Sequence, residues 1–210
     1  MKYLKRLKLP KKITAIIIIA ILVIGMPIHF VLKSYFNTSL FSQAGKLIDK
    51  ITLEIYKKNS PNVYLPEYLK YQNIDKNKLK AYLATKNSLL CRDPYFSTII
   101  KTSKKFNLNP VLMFAITGQE QNFVPADTQD APKIANNPFN VHHSWREYNT
   151  NIKDSSRIAA KTIINLSANR PKENNPFIWI GSKYAEDKNW GNGVQSIFEE
   201  INNYYRTHSN

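Results

Sequence analysis

The sequence has a single cysteine, Cys91, so no disulfide can close within the chain. Six of its 210 residues are glycine, and none sits in the glycine-rich turn that cradles a phosphate. Acids are scarce too, with fifteen Asp and Glu against thirty Lys and Arg. No internal repeat or low-complexity tract is present, and no alternating pattern marks a hairpin or a strand–helix–strand unit. His142 and His143 are adjacent, which is not a helical i, i+4 pair, and no Cys or Glu beside them completes a zinc pattern. No nucleophile elbow supports Ser-His-Asp chemistry. These gaps exclude phosphate-loop, zinc and serine-triad chemistry, and no metal or cofactor is expected.

What is present starts with charge. Lys2, Lys5, Arg6, Lys8, Lys11 and Lys12 precede residues 13–32, which carry no formal charge. About twenty apolar residues span a bilayer core as a helix. Pro27 and His29 weaken the far end of that stretch, and no small-x-small cleavage site follows it. An uncleaved signal anchor is therefore favoured over a secretory signal peptide. The cation bias points residues 1–12 to the cytoplasm and residues 33–210 outside, on the cell-wall side of a single-pass membrane protein. The outer part keeps a surplus of cations, which suits lipid headgroups or anionic wall polymers. Nucleic acid is the poorest partner, since no recognition motif for it is present.

Residues 33–73 read as a stalk and connector. Leu40, Leu47, Ile48, Ile51 and Ile55 recur at helical spacing within residues 39–58. Residues 59–73 contain Pro61 and Pro66 and several tyrosines, as an extended connector would. From residue 74 onward the pattern is mainly α. Helices are expected around residues 76–85, 94–106, 154–168, 176–185 and 193–205, with residues 124–153 mostly loop. The sharpest feature is Asn109-Pro110, a strong helix start, followed by Val111, Leu112, Met113, Phe114, Ala115 and Ile116 and then by the polar run Gly118-Gln-Glu-Gln-Asn122. Glu120 thus ends a helix that runs through a core. An acid at the edge of apolar packing has the setting that a general acid needs.

Several segments in order resemble the glucosaminidase domain of glycoside hydrolase family 73, in the lysozyme-like superfamily. They are Ser88-Leu-Leu, the helix before Asn107-Leu-Asn-Pro110, the helix ending at Glu120, Asn136-Asn-Pro-Phe-Asn-Val141, Trp145-Arg-Glu-Tyr148 followed by Asp154-Ser-Ser, and Tyr184-Ala-Glu-Asp187 with Trp190. The resemblance covers roughly residues 86–205. It implies a lysozyme-like helical domain over residues 74–210 that cleaves the glycan strands of peptidoglycan, as an endo-β-N-acetylglucosaminidase does. Glu120 falls on the family's catalytic acid, and Tyr184 on the tyrosine beside it. Asn136, Asn137, Phe139, Trp145 and Tyr148 fall on segments that would bind the sugar chain: the two asparagines through hydroxyl and N-acetyl groups, Phe139 and Trp145 as an apolar floor. Core packing is the competing role for these aromatics and for Tyr184, and loop formation for the asparagines.

Two departures stand out. The family follows its Glu with Ser-Gly or Thr-Gly, whereas this chain has Gln121-Asn122; and it has glycine after the Phe, where this chain has Asn140. No second carboxylate is clearly placed; Asp127 and Asp130 lie in the following loop, where turn formation is the simpler role. Cleavage of a glycosidic bond needs a proton for the leaving oxygen, while the substrate's own N-acetyl group can replace a second acid. A lytic transglycosylase of the same superfamily, with one Glu as acid and then base, and a catalytically weak glycan-binding scaffold are the alternatives.

Overall fold

A computed structural model describes residues 61–148 and 150–208, together with Leu47. The expected cytoplasmic segment 1–12, the span 13–32 and, apart from Leu47, the amphipathic stretch 39–58 lie outside the described residues. From residue 61 onward the chain belongs to one unit, Leu53–Asn210. Among the described residues no helix is long and apolar enough to cross a membrane.

Seven α-helices make up the described part: α1 (Lys76–Thr85), α2 (Tyr95–Lys105), α3 (Pro110–Gln121), α4 (Ala131–Asn136), α5 (Ile152–Ser167), α6 (Pro176–Tyr184) and α7 (Trp190–Thr207). The only β-pairing among the described residues is an isolated bridge between Ser88 and Pro125. Most of the helix starts are written locally. The Asp75 carboxylate accepts from the N–H groups of Asn77 and Lys78. Asn109 accepts from the Val111 N–H at 2.9 Å, with Pro110 at the first helical position. Asn175 does the same for Phe177, again ahead of a proline. Each cap satisfies donors that the first turn cannot pair internally.

Helix α3 is the axis of the domain. Its residues from Pro110 to Thr117 are all buried, so it is apolar around its whole circumference, as a helix enclosed by others must be. It packs against α7 and α2, while α6 packs on α7 and α5, and α2 on α5. The core joins Leu79 and Leu83 of α1, Phe96 and Ile99 of α2, Ile163 and Ile164 of α5, Ile180 of α6 and Ile201 of α7 to this axis.

Three expectations change. Residues 61–73 are not a free connector but part of the domain. They form two short 3-10 turns, Pro61–Tyr64 and Glu67–Leu69, and bury Leu65 and Leu69 to 2 % and 0 % exposure. The buried Arg170 donates to the Tyr64 carbonyl at 2.8 Å, and the Asn109 side-chain amide to the Tyr68 carbonyl at 2.7 Å. Prolines and tyrosines suggest extension in the sequence, whereas two leucines four residues apart supply the apolar contact that docks the segment. The second is α4, absent from the expected helices, in a stretch that is otherwise mostly loop as expected; six residues with a proline in the first turn carry too little periodicity to stand out. The third is the start of α5, which begins at Ile152 rather than Asp154. Asn151 caps it, accepting from the Asp154 N–H at 3.0 Å.

Candidate active site

Glu120 lies in the last turn of α3, half-buried, where the all-apolar helix reaches the surface. The chain then leaves the helix by an abrupt route. Asn122, Phe123 and Val124 all have left-handed backbones, with φ of 46°, 60° and 56°. Such a conformation is costly for a bulky or β-branched side chain, so the surroundings must impose it. They do so from two directions. The Phe123 ring folds back over Gly118, where a β-carbon would come within 2.5 Å of it. The segment before α2 holds the backbone: Leu89 N–H donates to the Val124 carbonyl at 2.9 Å, the Ser88 hydroxyl to the Phe123 carbonyl, and Ala126 N–H to the Asn87 carbonyl at 2.7 Å. The tight exit clears the space beside Glu120 for two other parts of the chain.

Both oxygens of the Glu120 carboxyl are engaged. The indole N–H of Trp190, the first residue of α7, donates to Oε1 at 2.6 Å. The side-chain amide of Asn140 donates to Oε2 at 2.9 Å. Asn140 in turn accepts at Oδ1 from the Gln121 amide at 2.6 Å. Neither donor to Glu120 is charged. Each carboxyl oxygen keeps a second lone pair for a proton or a substrate hydroxyl.

Tyr184, the last residue of α6, stacks on Trp190 with ring centroids 4.4 Å apart and planes at 19°. The stack depends on a close crossing of the two helices. A β-carbon on Gly191 would lie 2.5 Å from the Phe177 carbonyl oxygen, and one on Gly181 would lie 2.8 Å from the Gly191 nitrogen. Glycine at both positions lets α6 and α7 meet backbone to backbone, which brings the last residue of one onto the first residue of the other. The Tyr184 hydroxyl donates to the Phe139 carbonyl at 3.0 Å. Burial, and then the negative charge of Glu120, push the phenol above its ordinary pKa, so it remains a donor. Tyr184 thus borders Glu120 through Trp190 rather than by a bond of its own.

The other expected site residues divide. Asn137 has 0 % exposure and is spent on the loop: its amide N–H donates to the carbonyls of Val141 and His143 at 3.0 and 3.2 Å, and its Oδ1 accepts from Val141 N–H at 3.1 Å. The Phe139 side chain, also 0 % exposed, fills the core instead of flooring a cleft. Only its carbonyl reaches the site. These two substrate-binding assignments are corrected: a side chain sealed from solvent cannot touch a sugar. Asn136 is half-buried at the end of α4. Trp145 is half-buried beneath two cations, Lys133 and Arg146, at 5.4 and 4.9 Å from its ring. Tyr148 donates to Asp154 Oδ2 at 2.6 Å and meets the His142 ring edge-on. That bond, with the Arg157 guanidinium beside it, holds the Asp154 carboxyl below its ordinary pKa.

Among the described residues no second acid bonds to Glu120. Asp127 is exposed in a turn closed by Thr128 N–H to the Pro125 carbonyl at 3.1 Å, and Asp130 pairs with Lys133 at 2.9 Å. Three side chains at the site had no functional role assigned from sequence: Trp190, Asn140 and Gln121. Trp190 was visible only as an aromatic near Asp187. Asn140 was legible as a residue suited to a left-handed backbone, and its φ is 50°; that its side chain would face Glu120 had no local signal. The chain matches no protein-family model, no curated protein and no solved structure.

Proposed function

We propose that the described domain is a lysozyme-like glycan-cleaving module, a peptidoglycan hydrolase of the endo-β-N-acetylglucosaminidase type with Glu120 as its general acid. One observation carries the proposal. A carboxyl at the end of a buried helix is held at both oxygens by neutral donors from two segments far away in sequence, Asn140 and Trp190. Among the described residues Glu120 has no cationic partner, and it stays half-exposed rather than sealed in the core. Glycoside cleavage asks for a fixed carboxyl that hands a proton to the leaving oxygen and takes one back. The Trp190–Tyr184 stack backs the carboxyl with a rigid apolar wall, so positive charge developing on a sugar ring would meet the Glu120 charge beside a low-dielectric surface.

The proposal extends to the rest of the chain. Residues 13–32 anchor the protein in the cell membrane with residues 33–210 on the wall side, and the cationic surplus draws anionic wall polymers. Asn136, Trp145 and Tyr148 remain as candidates for sugar contact.

Glu120→Gln in the full chain keeps the shape of the carboxyl and removes its proton. Peptidoglycan cleavage is expected to fall about 10²–10⁴-fold with the thermal transition retained. A wild-type rate for this variant would refute the assignment. A second reading, a lytic transglycosylase, needs no second acid, and of the two acids in the loop after Glu120, Asp130 is paired with Lys133 and Asp127 is exposed in a turn. One Glu would then act as acid and afterwards as base toward the sugar's own 6-hydroxyl. Mass spectrometry of the digested glycan separates the cases: a reducing-end N-acetylglucosamine supports the hydrolase, a 1,6-anhydro end the transglycosylase, and no product the scaffold.

A further inference from the structure

We infer that Gln121 and Asn140 are a matched pair of positioning residues that hold Glu120 through both of its protonation states; this rests on the proposed role of Glu120 as the acid. Gln121 and Asn140, nineteen residues apart, are in contact. Gln121 Nε2 donates to Asn140 Oδ1 at 2.6 Å, and Asn140 Nδ2 donates to Glu120 Oε2 at 2.9 Å. A serine at 121 is too short for this bond, and a glycine at 140 has no side chain to receive it.

The geometry of position 140 supports the pairing. The backbone there is left-handed at φ 50°, a conformation in which asparagine is among the few tolerated side chains. The loop that sets it is fixed independently, because the buried Asn137 ties down the backbone of Val141 and His143 on the far side. Asn140 therefore presents its amide to Glu120 from a rigid support, while Gln121 sets which end of the amide faces the carboxyl.

An amide carries a donor at one end and an acceptor at the other. With Glu120 ionised, the chain of donation runs from Gln121 to Asn140 to the carboxylate, as observed. With Glu120 protonated on Oε2, a half-turn of both amides reverses the chain: the carboxyl O–H donates to Asn140 Oδ1, and Asn140 Nδ2 donates to Gln121 Oε1. Each amide exchanges its nitrogen and oxygen, while the carbons and the carboxyl keep their places in both states. A single carboxyl that gives up a proton and regains one in each turnover is thereby held in one position throughout, without a charged partner.

The test measures kcat, KM and Tm of the full chain on peptidoglycan. Asn140→Gly suits the left-handed backbone and removes the amide, and Asn140→Asp keeps the shape but can no longer donate when ionised. Both are expected to lower kcat about 10- to 100-fold, with KM changed by less than about twofold and Tm retained. Gln121→Met lowers kcat less. The double variant Gln121→Met/Asn140→Gly is no worse than Asn140→Gly alone, because Gln121 acts only through Asn140. If Asn140→Gly turns over like the unsubstituted chain while Glu120→Gln is inactive, the positioning role is overturned and the proposed function stands. Additive losses overturn the coupling, and a kcat loss matched by a fall in Tm assigns Asn140 to the fold instead. Full activity of Glu120→Gln, or no cleavage by the unsubstituted chain, overturns both.

Discussion

On one side of Glu120 stand the helices α6 and α7, and on the other the irregular segment 136–148; each supplies one donor to the carboxyl, by different physical means. The helical side places Trp190 by close packing, with two glycines letting the backbones touch and Tyr184 lying flat on the indole. The loop side places Asn140 by side-chain-to-backbone hydrogen bonds, chiefly those of Asn137, and by left-handed residues at Asn140, His142 and His143. Packing of this kind is shared with the core, so it gives way only when the core does. Hydrogen bonds that close one loop can open alone, since the freed groups reach water.

The largest expected effect breaks the helical side. Gly191→Ala puts a methyl group 2.5 Å from a backbone oxygen that no rotamer can move. The helices must separate, at about 1–3 kcal/mol for overpacking, and the Trp190 donor shifts with them. Thermal unfolding should show a clear fall in Tm, with cleavage lost in parallel; an unchanged Tm would mean that the crossing is looser than drawn.

Asn137→Ala breaks the loop side. Three bonds to backbone are lost, and each group left buried without a partner would cost about 1–3 kcal/mol. The loop can open instead, so the fall in Tm should be smaller than for Gly191→Ala. Hydrogen exchange should accelerate in residues 138–148 and stay unchanged in α6 and α7. Uniform acceleration across the domain would erase the distinction between the two sides.

The smallest change tests a bond that joins them. The Tyr184 hydroxyl runs from α6 to the Phe139 carbonyl in the loop. Tyr184→Phe keeps the stack and removes that bond, at about 0.5–1.5 kcal/mol. A modest loss of stability with turnover near normal is expected. A large loss of turnover at unchanged Tm would give the hydroxyl a direct part in the chemistry.

Legibility followed the range of the causes. Asn109-Pro110 and Asn175-Pro176 announce their helices because a cap acts over two or three residues, and the structure uses both. Glu120 was legible because apolar density followed by a polar break is a local pattern. Asn137 and Phe139 misled because asparagine and phenylalanine serve loops, cores and sugar sites equally well in sequence, and only burial tells these uses apart. Leu65 and Leu69 were overlooked for a similar reason, since two apolar residues among prolines and tyrosines declare nothing until a surface receives them.

The sequence by itself determined the mainly α class, the positions of most helices and the end of α3 at which an acid emerges, since helix caps, periodicity and turn residues act between near neighbours. Only the tertiary structure decided what surrounds that acid. Asn140 lies twenty residues from Glu120 and Trp190 seventy, and no propensity spans such distances. They meet because a wholly apolar helix had to be enclosed, two glycines allowed α6 and α7 to close on each other, and a left-handed turn after Glu120 left room for a loop to reach the carboxyl.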